Sequence, residues 1–358
     1  MSLFVAYSDP KFVEISQLIF QQQFRRDPKL HEELDERRKK LMYADITYNI
    51  SYLMTAVRFE DGGIFVAYAR WIYDRLCSQM KDFTRERVGT IMVDHYQVMI
   101  EVLLSKGHTV MTEHEVVLAM DYLQLAIETT KELIHEEPSM ETLGEDPYED
   151  VRAMYFNALM DGHTEKAYEV VKEARDAGMD LLVLYQEVLA KTMYEIGRLW
   201  QKNIITVDKE HYATSVTQMV MSRFYEEIFS RPRKHKTLIS CAAGSELHEM
   251  GIRMLSDIFE HEGWDTYYLG SGLSLEAMIS AVKDHEPQVV ALSVTMPPYL
   301  NHCEELVRGL REAFPNLLIA VGGQAFRHTK PLWKSWGANF YSERAEDLLR
   351  WLEERPTE

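Results

Sequence analysis

Cysteine is scarce in this chain of 358 residues: Cys77, Cys241 and Cys303 lie far apart and none belongs to a CxxC pair. That excludes a disulfide framework or a zinc site built on paired thiolates and fits a reduced compartment. Cys241 and Cys303 read as small buried hydrophobes. No apolar run reaches the roughly 18 residues a membrane span needs, and the N-terminus, MSLFVAYSDPKF, has no basic stretch leading into an apolar one. A cytoplasmic protein without a membrane partner is expected. Basic residues are also in deficit, 39 Lys and Arg against 57 Asp and Glu, for a formal net charge of −18. Tracking phosphates requires an excess of Lys and Arg, so direct nucleic-acid binding is not expected.

Glycine and proline are sparse from residue 1 to about 140, and apolar positions recur at three and four, as in Ile46, Ile50, Leu53, Met54 and Val57. This spacing predicts a helical bundle of four to six helices, with stretches at about 64–80, 84–105 and 112–136. Asp61-Gly62-Gly63 breaks the pattern, and Thr112 with Glu115 three positions on is a capping signature. The segment from Glu137-Pro138-Ser139 to Glu145-Asp146-Pro147 reads as a linker. Helical segments at about 148–160, 164–176, 179–200 and 206–229 then suit a compact four-helix unit. The basic stretch Arg231-Pro232-Arg233-Lys234-His235-Lys236 marks the next boundary.

From Thr237 the period changes. TLISCAAG, WDTYYLG, QVVALSVT, LLIAVGG and the weaker ANFYS alternate with amphipathic helical stretches. Such βα alternation predicts a parallel sheet covered on both faces, with ligands at the carboxyl ends of its strands. The chain is thus expected to be mainly α plus α/β: a helical bundle (1–140), a four-helix cap (148–230) and a flavodoxin-like, Rossmann-like sheet domain (237–354).

After the first expected strand comes Glu246-Leu247-His248-Glu249-Met250-Gly251. After the third comes Ser293-Val294-Thr295, and after the fourth Gly322-Gly323, with 41 residues between Gly251 and Ser293 and 26 between Thr295 and Gly322. The set resembles the base-off, His-on cobalamin-binding fold of methionine synthase, methylmalonyl-CoA mutase and the corrinoid methyl carriers. That family carries Asp-x-His-x-x-Gly, Ser-x-Leu and Gly-Gly at the same or closely similar intervals. The resemblance implies His248 as the lower axial cobalt ligand, its second ring nitrogen held by an acceptor. It implies Ser293 and Thr295 along the channel for the cofactor's nucleotide tail, and Gly322 and Gly323 where that tail passes close to backbone. Glu246 replaces the family's Asp, which puts the usual carboxylate–histidine contact in question, and Thr295 replaces Leu.

In the expected cap, Trp200 ends the third helix and Val207, Glu210 and His211 open the fourth, the pattern Trp-x6-Val-x2-Glu-His. This resembles the adenosylcobalamin-dependent photoreceptors typified by the CarH regulators. The resemblance implies Trp200 packing near an adenosyl group, with Glu210 and His211 in polar contact around it. Where those regulators have a second histidine after the tryptophan, this chain has Gln201.

The order of a helical front domain, cap and cobalamin domain also resembles the photocobilins, which pair cobalamin with a bilin such as biliverdin. Tyr43, Tyr48, Tyr52, Phe65, Tyr68, Trp71 and Tyr73 in the front bundle read first as core. The expected function is a light sensor acting through a homo-oligomer or a separate signalling protein. The alternative is a corrinoid methyl-carrier subunit of a methyltransferase system. A mutase role would need a substrate barrel from a partner chain, and no turnover by this chain alone is expected.

Overall fold

In the computed structural model, residues 9–136 and 146–355 are described; most of the expected linker, 137–145, lies outside them. The chain divides into two compact units.

Among the described residues the N-terminal part of the first unit is built on α1 (Pro10–Arg26), α2 (Pro28–Glu33), α3 (Glu36–Arg58), α4 (Gly62–Gln79), α5 (Arg85–Lys106) and α6 (Glu113–His135). Local chemistry starts them. Pro10 and Pro28 occupy first-turn positions, where a missing N–H costs nothing, behind Asp9 and Asp27. Asp61 caps the Gly62-Gly63 start of α4, and Thr112 with Glu115 forms a reciprocal capping box. Tyr52, Phe65, Tyr68 and Tyr73 are buried, and Tyr52 stacks on Tyr68 at 3.9 Å. The unit also takes in Val294–Glu304 and Gln324–Ser335. Within it Asp61 accepts from the Lys330 backbone N–H at 2.6 Å, and Arg58 pairs with Glu304 at 3.0 Å.

The second unit holds the cap segment and the sheet. Its helices are α7 (Glu149–Met160), α8 (Thr164–Asp176), α9 and α10 (Val207–Ser222), followed by the short α11 (Tyr225–Ile228). Two of the expected helices are not plain. α9 runs as Leu181–Val183, a π-helical stretch Leu184–Ala190, and Lys191–Gln201. The run expected at 206–229 breaks at Arg223, and the turn brings Phe224 and Ile228 into the core.

Five parallel strands follow: β1 (Thr237–Ala242), β2 (Asp265–Tyr268), β3 (Val289–Ser293), β4 (Leu318–Gly322) and β5 (Phe340–Tyr341). Their order, β2-β1-β3-β4-β5, is the flavodoxin-like doubly wound order. The crossovers are α12 (Met250–His261), α13 (Leu275–His285), α14 (Leu300–Ala313) and α15 (Leu332–Trp336), and α16 (Ala345–Glu353) closes the chain. The expected strands appear in place, although ANFYS contributes only Phe340 and Tyr341. β1, β3 and β4 are near-continuous apolar runs because helices cover both faces.

One core runs from the cap into the sheet, through Tyr155, Tyr185, Ile196, Val216 and Val220 to Leu238, Ile258, Phe259 and Trp264. At about 1.5–3 kcal/mol for each large apolar side chain buried, this core fastens the cap to the α12 face of the sheet. The basic stretch 231–236 is tied down as well. Arg231 pairs with Glu262 at 3.0 Å, Arg233 with Glu260, and the Lys234 N–H donates to the Gly263 carbonyl at 2.7 Å. No helix among the described residues is long and apolar enough to cross a membrane.

Candidate functional site

The carboxyl edge of the sheet places three of the singled-out segments in one row. Ala242 is in register with Ser293, and Ser293 with Gly322. The Ala243 N–H donates to the Ser293 carbonyl at 2.9 Å, so the β1–α12 loop departs directly beside Ser293. Thr295 lies two residues past β3, in the segment that belongs to the first unit.

In the β1–α12 loop Glu246 is buried at 1% exposure, while the His248 side chain is 57% exposed. Glu246 Oε1 lies 2.5 Å from His248 Nδ1 and also accepts the His248 backbone N–H at 3.1 Å. The extra methylene of Glu over Asp therefore does not prevent the contact, because the carboxylate is drawn inward and meets ring and backbone together. The hydrogen bond to Glu246 raises the His248 pKa, against the opposing effect of burial, and the charges of Glu246 and Glu210 add to the rise. With Nδ1 engaged, Nε2 is the nitrogen left for a metal, and a carboxylate on the far side of the ring makes it a better donor.

Glu210 reaches the same region from the first turn of α10. Its Oε2 is 2.9 Å from Nδ1 of His211, and Thr214 donates to its Oε1 at 3.1 Å. His211 is 74% exposed. Trp200 lies near the end of α9 and Val207, exposed, starts α10. Glu246 and, more weakly, Glu210 thus both favour the charged form of His248, and His211 pairs with Glu210.

The glycines divide. A Cβ on Gly251 would meet nothing within 4 Å, so the first turn of α12 faces open space beside His248. A Cβ on Gly322 would lie 2.5 Å from the Ser342 carbonyl oxygen, and Gly323 has φ +96°. Both of these are required by the fold itself, whatever passes near them.

These features suit a large flat group carrying a metal. A single exposed imidazole has its second nitrogen committed, Leu247 beside it is 84% exposed, and Gly251 leaves room. Among the described residues no group of three or more His, Cys, Asp or Glu could hold a metal ion.

Sequence reasoning missed two features. Ser240, in the apolar β1, is fully buried and its hydroxyl has no partner among the described residues. A network also joins cap to α12: Tyr185 donates to Asp257 at 3.2 Å, and Arg253 donates to Ser222 and Tyr225, each at 3.1 Å. Nothing in linear spacing pairs Tyr185 with Asp257.

Residues 236–349 match a family model described as B12 binding domain, and residues 151–225 match a second B12 binding domain model. The HTH-type transcriptional repressor CarH of Myxococcus xanthus is 30% identical over 42% of this chain and 50% of its own length. The chain thus spans about half of that repressor. The trimethylamine corrinoid protein of Methanosarcina barkeri is 25% identical over 56% of this chain and 94% of its own. The monomethylamine corrinoid protein of Methanosarcina barkeri shares the fold, with a TM-score of 0.51 at 17% identity over 57% of this chain and 98% of that one. With a helical B12-binding cap followed by a B12-binding sheet domain, the chain belongs to the cobalamin-binding domain family.

Proposed function

We propose that this chain is a cobalamin-dependent light sensor that favours adenosylcobalamin. The observation that carries the reading is the Glu210–His211 pair at 2.9 Å on the cap, whose carboxylate acts on His248. A methyl upper ligand needs only an apolar lid, whereas an adenosyl group offers hydrogen-bonding edges to a carboxylate and an imidazole and a face to the indole of Trp200. Bound adenosylcobalamin supplies a cobalt–carbon bond that visible light cleaves. His248 would hold the cobalt through Nε2, with Glu246 holding its Nδ1, and Trp200 and Val207 would lie at the cap helix ends nearest the upper group. Loss of contacts at Trp200, Glu210 and His211 then biases the position of the cap. The output passes through a homo-oligomer or a separate signalling protein in the cytoplasm, without direct nucleic-acid contact. Absorbance spectra and oligomeric state of the adenosylcobalamin complex before and after green light test this; no change in either removes the sensor reading.

A bilin in the N-terminal bundle is a separate part of the proposal. It is supported by the buried polar pair Asn49–His95, at 2.9 Å, near the Phe65 and Tyr96 rings. Absence of a red absorption band after biliverdin is supplied would remove it.

The second reading is a corrinoid methyl carrier, favoured by the match over 94% of the length of the trimethylamine corrinoid protein. Retention of methylcobalamin with methyl transfer to a thiol acceptor would support it over the sensor.

A further inference from the structure

The π-helical stretch Leu184–Ala190 sits inside α9, whose far end carries Trp200. π-helical turns are rare because their i→i+5 bonding is poorer than α bonding, and they persist where side-chain contacts hold them. Three consecutive residues of this stretch are tied. Tyr185 donates to Asp257 of α12 at 3.2 Å. Gln186 donates to Glu346 of α16 and accepts from Arg344 at 3.1 Å. The Glu187 carbonyl accepts from Arg152 of α7 at 3.1 Å, and its carboxylate pairs with Lys191 at 2.5 Å. Two of the three thus anchor the stretch to the sheet side of the second unit.

An independent sign lies just downstream. The Thr192 hydroxyl is buried and has no partner among the described residues. Two buried threonines in regular helices bond the carbonyl four residues back, Thr55 to Ser51 at 2.8 Å and Thr130 to Ala126 at 2.7 Å, while Thr47 bonds Ala44 three back and Thr217 reaches Tyr155. In α register Thr192 would find Val188 in the same way. The π register leaves this hydroxyl unsatisfied, and an alternative register would satisfy it.

We infer that Tyr185, Gln186 and Asp257 are positioning residues that hold the stretch in its π register, and that releasing them lets it close to α register and turn Trp200. A shift by one residue position rotates everything downstream by about 100°. Such a step is discrete, as one-position shifts of packed elements are. The site geometry at Trp200 is thereby linked to contacts on the opposite end of the same helix. The part of this inference that concerns the upper ligand rests on the adenosylcobalamin reading.

Hydrogen exchange on the full chain, without cofactor and with adenosylcobalamin, tests it in the variants Tyr185→Phe and Gln186→Ala, with Asp257→Asn as a third. Amides of 184–190 should exchange about tenfold faster while those of α7 stay unchanged, the size expected for one lost hydrogen bond. Affinity for adenosylcobalamin should fall several-fold, and affinity for hydroxocobalamin, which lacks a bulky upper group, should hold. Unchanged exchange at 184–190 in all three variants would overturn the register latch, and equal weakening of both corrinoids would reduce these residues to a structural role. A wild-type protein that ignores light removes the sensor reading but leaves the exchange comparison in force.

Discussion

Glu246 Oε1 stands 2.5 Å from His248 Nδ1, with the carboxylate buried and the ring exposed. The pair is arranged as a metal-ligating histidine and its orienting acceptor are. Glu246→Ala should weaken cobalamin binding by about 10–100-fold, the usual cost of removing such an acceptor, with Glu246→Asp much milder. Equilibrium dialysis against hydroxocobalamin measures it. His248→Ala should abolish the imidazole-ligated spectrum; the same spectrum from this variant would end the assignment of His248.

Trp200→Ala should weaken adenosylcobalamin by about tenfold while leaving hydroxocobalamin within about twofold, because only the former presents a purine face to the indole. Glu210→Gln should follow the same pattern, since it removes the charge that His211 pairs with. Parallel loss of both corrinoids would mean that these residues hold the cap together rather than meet the upper ligand.

Burial raises the Asp257 pKa to about 7, against the attraction of Arg253 and the hydrogen bond from Tyr185, with Glu260 adding to the rise. In the unfolded chain this carboxyl titrates near the ordinary value of about 3.9. Between those values the folded state holds a proton that the unfolded state has lost, so stability falls as pH rises through about 7. Thermal melts from pH 5 to pH 8 should show this decline, and Asp257→Asn should flatten it. An identical slope in the variant would exclude Asp257 as its source.

Gly322→Ala drives a Cβ into the Ser342 carbonyl oxygen, so the cofactor-free protein should lose about 2 kcal/mol of stability. Chemical denaturation measures it. Full stability with lost cobalamin binding would instead assign the need for glycine to the ligand.

Much of the fold was legible in the residues. The change from three-and-four spacing to short β-branched runs at Thr237 marks the start of β1, and the Thr112–Glu115 signature marks the start of α6. Both are local effects, in which period and capping are set by neighbours a few positions away. The π stretch was not legible, because the side chains that tie it, Asp257, Glu346 and Arg344, lie 72 to 160 positions away. The break at Arg223 was hidden for a similar reason: Phe224 and Ile228 leave the helix to fill a core shared with distant strands.

The sequence by itself placed the Glu246–Gly251, Ser293–Thr295 and Gly322-Gly323 segments at the carboxyl ends of parallel strands, and their resemblance to the cobalamin-binding family pointed to the cofactor class. Only the tertiary structure decided that Glu246 can stand in for a shorter carboxylate. Reach depends on how far the backbone draws that side chain inward, and here it is buried while His248 stays exposed. Only the tertiary structure, too, revealed that Gly322 is required by Ser342. Contact across a fold depends on packed distance, which spacing along a chain does not encode.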